Sequence, residues 1–319
     1  MKQDLFLEGS TVTEDLDLKD DSEHSERLAK VFENVLMLSV NESVVAAQLE
    51  AFKIFHLADL DLTKGSVLKT NLRDLSIALG GPPRLIFVKN GEPRPRFDTY
   101  ADAAITEAID AFMLARSSIC RTHMYLIGSG IIKQHPEVVN WPDDPEIRRI
   151  FVSNVEGYFW EHAETSYIRL ASFWDRVGQL LAFAFFNIRQ YEHDVFSAVM
   201  DRISANFLPM NETSEPPVAW ERLKAFQKTP KTDGLQWLSR RRNLLIHSLH
   251  LRPPRENEPE SPIFTSAFNH LDQAIRERLR QGTAEEEVGL LHQHLSVAAA
   301  LFPDAVEVAL TESPIAGRA

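Results

Sequence analysis

From about residue 159 to 190 the chain repeats large apolar side chains at spacings of three and four: Tyr167, Leu170, Phe173, Trp174, Val177, Leu180 and Leu181, with no proline among them. At 3.6 residues per turn this spacing gathers them into one stripe along a long helix. A stripe of that length is buried against other helices, so this segment sets the fold class before any other. Companions are present. Tyr100 to about His123 carries Ala103, Ile105, Ala108, Ile109, Phe112, Met113 and Ala115 and reads as a second long helix, which Gly128-Ser129-Gly130 is expected to end. Shorter helices are expected over about 23–38, 42–57, 192–206, 263–281 and 284–299. The one strand signal is Arg84 to Val88 running into Asn90-Gly91, a small β-hairpin whose return strand Pro93 and Pro95 confine to an edge. The expectation is an all-α chain: an acidic leader over 1–22, a helical extension with the hairpin over 23–99, a helical bundle over 100–300 and a tail over 301–319.

Charge narrows the function. The net charge of −12 excludes a protein that coats nucleic acid over its whole surface, and residues 4–23 set eight acidic side chains against Lys19 alone. The opposite bias occurs once. Between 221 and 255 stand Arg222, Lys224, Lys228, Lys231, Arg240, Arg241, Arg242, Arg252 and Arg255, against only Glu221 and Asp233. Any polyanion contact is therefore expected there. Cys120 is the only cysteine, which rules out an intramolecular disulfide and fits a reducing, cytoplasmic setting, where it reads as a small buried hydrophobe. The start of the chain shows no basic and apolar leader, and the longest apolar run, residues 180–186, is too short to span a bilayer, so no membrane partner is expected. No phosphate-binding G-x-x-x-x-G-K-S/T loop is present.

Inside the basic segment, Leu235, Leu238, Leu245, Ile246 and Leu249 fall on one side of a helix with Arg242 near the middle of the stripe. A buried guanidinium costs several kcal/mol unless it has an acidic partner, a wet cleft or an anion. Asn243 and His247 lie one turn apart beside it, with His250 close by. His247 with His250, and His292 with His294, lack the carboxylate or thiolate companions of a usual metal site, so neither a metal nor a cofactor is expected. An imidazole with an ordinary value near 6.5 exchanges protons near neutral pH, and a permanently charged guanidinium holds an anion.

Arg242-Asn243 followed by His247 resembles the R-N-x-x-x-H form of the R-x4-H motif of the HEPN superfamily, all-helical domains of prokaryotic toxins, phage-defence proteins and CRISPR-associated ribonucleases. Residues 167–178, an aromatic-Trp-Asp-basic stretch centred on Trp174-Asp175-Arg176, resemble the long helix of one branch of that superfamily. The resemblance covers about residues 100–282. It implies a metal-independent endoribonuclease cutting single-stranded RNA at a composite homodimer site. His247 would be the general acid or base, Arg242 the phosphate clamp, Asn243 the positioner, Asp175 a support, and Arg240 and Arg241 contacts to the RNA backbone. The motif's alternative is a catalytically inert dimer that binds nucleotide or RNA or serves as a protein scaffold. Leu249 stands where toxins silenced by nucleotidyltransferases carry a tyrosine, which leaves an antitoxin or other regulatory protein covering the cleft as the mode of control.

Overall fold

The computed structural model describes residues 25–26, 28–29, 40–50, 53–81, 84–87, 93–96, 98–135, 137, 145–189, 195–207, 216–247, 250–252, 266 and 269–314. The acidic leader, most of the 23–38 helix, the Asn90-Gly91 turn, Leu249, Arg255 and the proline-rich stretches 208–215 and 253–262 lie outside them. Two compact units divide the chain, Met1–Gln48 and Leu49–Ala319. In the first, residues 40–48 are helical. The helix expected to reach 57 stops earlier: Lys53 and His56 adopt φ of 53° and 48°, the left-handed region no helix passes through.

The second unit is built from helices α1 (Val67–Gly80), α2 (Tyr100–Gln134), α3 (Pro145–Phe186), α4 (Phe196–Asn206), α5 (Val218–Lys228), α6 (Leu235–His247), α7 (Gln273–Leu279) and α8 (Ala284–Thr311). Between α1 and α2, strands β1 (Arg84–Phe87) and β2 (Pro93–Arg96) pair antiparallel, with Arg84 opposite Arg96 and Phe87 opposite Pro93. The protein is mostly helical, as the apolar spacing requires.

The two long helices run antiparallel. Thr122 meets Ser166 at 3.2 Å, and Arg169 donates to the Leu114 carbonyl at 3.1 Å and to Ser118 Oγ at 2.7 Å. At 42 residues α3 is about 63 Å long and starts fourteen residues before its strong stripe does. α2 runs through Gly128 and Gly130 to Gln134 rather than ending there. Each glycine weakens a helix by about 1 kcal/mol, less than the packing of a long antiparallel neighbour returns. Phe112, Phe173, Trp174, Phe302, Phe196 and Phe226 form a continuous ring-to-ring contact through the centre. Gly178 lets α4 approach, because a Cβ there would stand 2.8 Å from Phe196 Cα.

Residues 301–311 are no tail. α8 opens on a capping box, in which Thr283 accepts from Glu286 N–H and Glu286 reaches back to the Thr283 N–H, and it continues past Pro303. The missing N–H costs about 3 kcal/mol, offset by the burial of Leu301, Phe302, Ala305, Val306 and Val308. The boundary drawn at residue 100 also gives way: Leu60, Leu68, Leu72, Leu75 and Leu79 belong to the same hydrophobic core as α2, α3 and α8. Among the described residues α8 alone is long and apolar enough to cross a membrane, and here it packs against α1, α2, α3 and α5.

Candidate functional site

The chemistry-bearing residues converge on α6, whose two sides differ in kind. Its buried side carries Leu235, Trp237, Leu238, Arg241, Leu244 and Leu245. The cation in the stripe is therefore Arg241, one residue before the position that the leucine pattern gave. Trp237 explains the shift: the large indole goes inward, donating from Nε1 to the Arg278 carbonyl at 2.6 Å, and turns the buried arc until Ile246 is 43% exposed.

Arg241 is fully buried, and its placement corrects the expectation that it contacts RNA. Its Nη2 pairs with Glu287 Oε1 and its Nη1 donates to the Leu279 carbonyl at 2.6 Å. Glu287, on the first turn of α8, also accepts from the Tyr167 hydroxyl at 2.6 Å and from the Gly282 N–H at 2.8 Å. The guanidinium sits between the rings of Tyr167 and Trp237, 5.4 and 5.7 Å from their centroids. Burial, with the neighbouring Glu287 charge, pushes the Tyr167 hydroxyl well above its usual range. The cluster ties α3, α6 and α8 together and pairs its opposite charges internally, with Arg241 Nε left as a buried donor without a hydrogen-bond partner among the described residues.

The basic segment is thinned in other places too. Arg222 pairs with Asp304 at 3.1 Å and Lys224 with Asp201 at 3.0 Å. Among the described residues, Lys228, Lys231, Arg240 and Arg242 close no ion pair.

On the other side of α6, Arg242 and Asn243 line a cleft of about 130 Å³ together with Asp175 and Trp174 of α3, Phe196 and Ser197 of α4, and Ser239. Arg242 Nη1 donates to Asn243 Oδ1 at 3.2 Å, and no other hydrogen bond among the described residues occupies its guanidinium. No hydrogen bond or ion pair among the described residues occupies the Asp175 carboxyl. Burial raises Asp175 above the ordinary carboxylate range, partly opposed by the Arg242 and Arg176 charges. The volume suits one phosphate-sized group rather than a whole nucleotide, since pockets for larger ligands begin at about 300 Å³.

His247 ends α6 and is exposed. Five residues separate it from Arg242, which is about 140° around the helix and about 7.5 Å along it. It does not line the cleft. Asn243 lies one turn before it and lines the cleft beside Arg242. Beyond α6, Glu164 of α3 accepts from the Leu251 N–H and lies 3.2 Å from His250 Nδ1, fixing where the chain leaves the helix. The structure thus brings Arg242, Asn243 and Asp175 to one place, sets His247 beyond its rim and withdraws Arg241.

Ser197, Ser239 and Glu287 were missed in the sequence. Glu287 carried a usable signal, standing in phase with Leu291, His294 and Ala298 on the buried face of α8. The histidines of α8 diverge: His292 meets the ring of His123 at 5.0 Å, while His294 stacks on Trp237 at 5.3 Å. Among the described residues no group of three or more His, Cys, Asp and Glu is placed to hold a metal. Cys120 is buried, and burial, with the Glu50 charge, pushes its thiol up, away from a thiolate nucleophile. No family model matches the chain, and no curated protein or solved structure matches it either.

Proposed function

We propose that this chain is a HEPN-type helical protein and a metal-independent endoribonuclease. It cleaves single-stranded RNA at a composite homodimer site, in the cytoplasm, in prokaryotic defence or stress response. The observation that carries the reading is the division of labour on α6. Arg241 is consumed by the fold, while Arg242, the next residue, keeps free donors in a cleft beside Asp175, and His247 reaches solvent from the same helix. Arg242 holds the scissile phosphate and stabilises the charge that grows on it. Asn243 fixes the guanidinium, His247 exchanges protons with the RNA, and Arg240, Lys228 and Lys231 meet backbone phosphates. A two-fold axis brings His247 and its mate to one strand, and an antitoxin or other regulatory protein acts by covering the cleft.

The test is cleavage of a labelled unstructured RNA by purified protein in EDTA. Wild type leaves 2',3'-cyclic phosphate ends, and His247→Ala abolishes cleavage while remaining folded and dimeric. Full cleavage by the variant would assign the activity to another site. One observation favours a second reading, an inert dimer that binds RNA or nucleotide or scaffolds another protein: Arg242 and His247 point about 140° apart on their helix. Retention of RNA binding without any cleavage selects it.

A further inference from the structure

Within the chain, the titratable acid that shares the cleft with Arg242 is a carboxyl, not an imidazole. Asp175 and Arg242 face one cleft from two helices, yet among the described residues no ion pair joins them, and the space between takes a phosphate-sized group. Such an arrangement is unusual for a purely structural pair, which closes to contact distance and fills the space. The cleft is also polar, with Ser239, Ser197 and Asn243 in its lining beside Trp174.

We propose that Asp175 is the general base of the RNA-cleaving site, taking the proton of the ribose 2'-hydroxyl while Arg242 holds the adjoining phosphate. The proposal rests on the ribonuclease reading and deepens it. As the proton passes to the Asp175 carboxylate, the 2'-oxygen forms its bond to phosphorus and the bond from phosphorus to the 5'-oxygen breaks. The leaving oxygen takes a proton from a His247 that the two-fold axis of the proposed dimer carries to the cleft, since the histidine of the same chain does not line it. The products are a 2',3'-cyclic phosphate and a 5'-hydroxyl, and one histidine suffices for the turnover. The charged and titratable groups facing Asp175 are Arg242 from α6 and Arg176 on its own helix, with neutral Asn243, Ser239 and Ser197 completing the surroundings. Because burial raises the carboxyl, the rate falls on the acid side through the titration of Asp175.

The experiment measures single-turnover cleavage of an unstructured RNA by the full chain across the pH range, for wild type, Asp175→Asn and Asp175→Glu, with thermal melting of each. The expected result is a loss of about 100-fold or more for Asp175→Asn at the optimum, with the acid limb of the profile abolished. Asp175→Glu retains cleavage with a displaced acid limb. A structural role alone lowers the melting temperature and leaves the limb where it is, so Asp175→Asn with an unchanged limb overturns the proposal at any rate. Should Asp175→Asn fail to fold, the Asp175→Glu limb decides alone, and its failure to move overturns the proposal. If wild type leaves the RNA intact, the ribonuclease reading falls and this assignment with it. If wild type cleaves and the variants keep its profile, only the assignment falls.

Discussion

Arg241 and Arg242 are neighbours on one helix with opposite fates. The first is held by Glu287, the Leu279 carbonyl and two aromatic rings with no exposure to water. The second hydrogen-bonds only Asn243 among the described residues and opens on a cleft. About 100° of rotation separates them, and that rotation sorts an identical side chain into a bolt or a binding group. The lesson is that a run of arginines counts for binding only after the fold has taken its share.

The comparison breaks most readily on the buried side. Glu287→Ala leaves Arg241 charged, sealed and without its acid, and should cost about 3–5 kcal/mol in urea denaturation; a loss below 1 kcal/mol would mean that the cluster is not what holds α6. Acid probes the same side. Burial holds His294 at about 4, below its unfolded value of 6.5, with the Thr232 backbone and the Asp233 charge opposing only in part. Its contribution is fully present above pH 6.5 and is lost as pH falls from there to about 4, about 3 kcal/mol in all. His294→Gln should make that part of the stability profile shallower, with His292, also held at about 4 by burial, supplying what remains.

On the open side the effects on folding shrink. Gly178→Ala drives a methyl against the backbone of Phe196, a residue of the cleft lining, and should cost about 1–3 kcal/mol and perturb the Arg242 surroundings. Arg242→Ala and His247→Ala should stay within about 0.5 kcal/mol of wild type in the same denaturation assay while losing RNA cleavage. A large destabilisation by Arg242→Ala would make it a second bolt and erase the distinction.

How far the sequence reaches can be seen at particular residues. The stripe through Tyr167, Phe173 and Trp174 placed α3, and the alanine-rich pattern placed α2, because long periodic segments leave little choice of face. Their ends were not legible. Gly128, Gly130 and Pro303 are local stop signals overruled by neighbours that are distant in the chain. At the site, Arg242, Asn243 and Asp175 were all nameable from the sequence, although Asp175 precedes Arg242 by 67 residues and only folding sets them on one cleft. The phase of α6 was misread by one position, since a leucine count cannot foresee which way Trp237 turns or that Glu287 waits for a cation.

The motif helix is gripped at both ends. Before it, Gly234 lies so close to Thr229 that a Cβ would come within 2.1 Å of the carbonyl oxygen; after it, Glu164 catches the Leu251 amide. A rod held at its two tips and pinned at its waist by Glu287 cannot roll about its long axis. Any molecule that silences Arg242 must therefore do so by shading it from its ligand, since turning it away would require the surrounding helices to come apart.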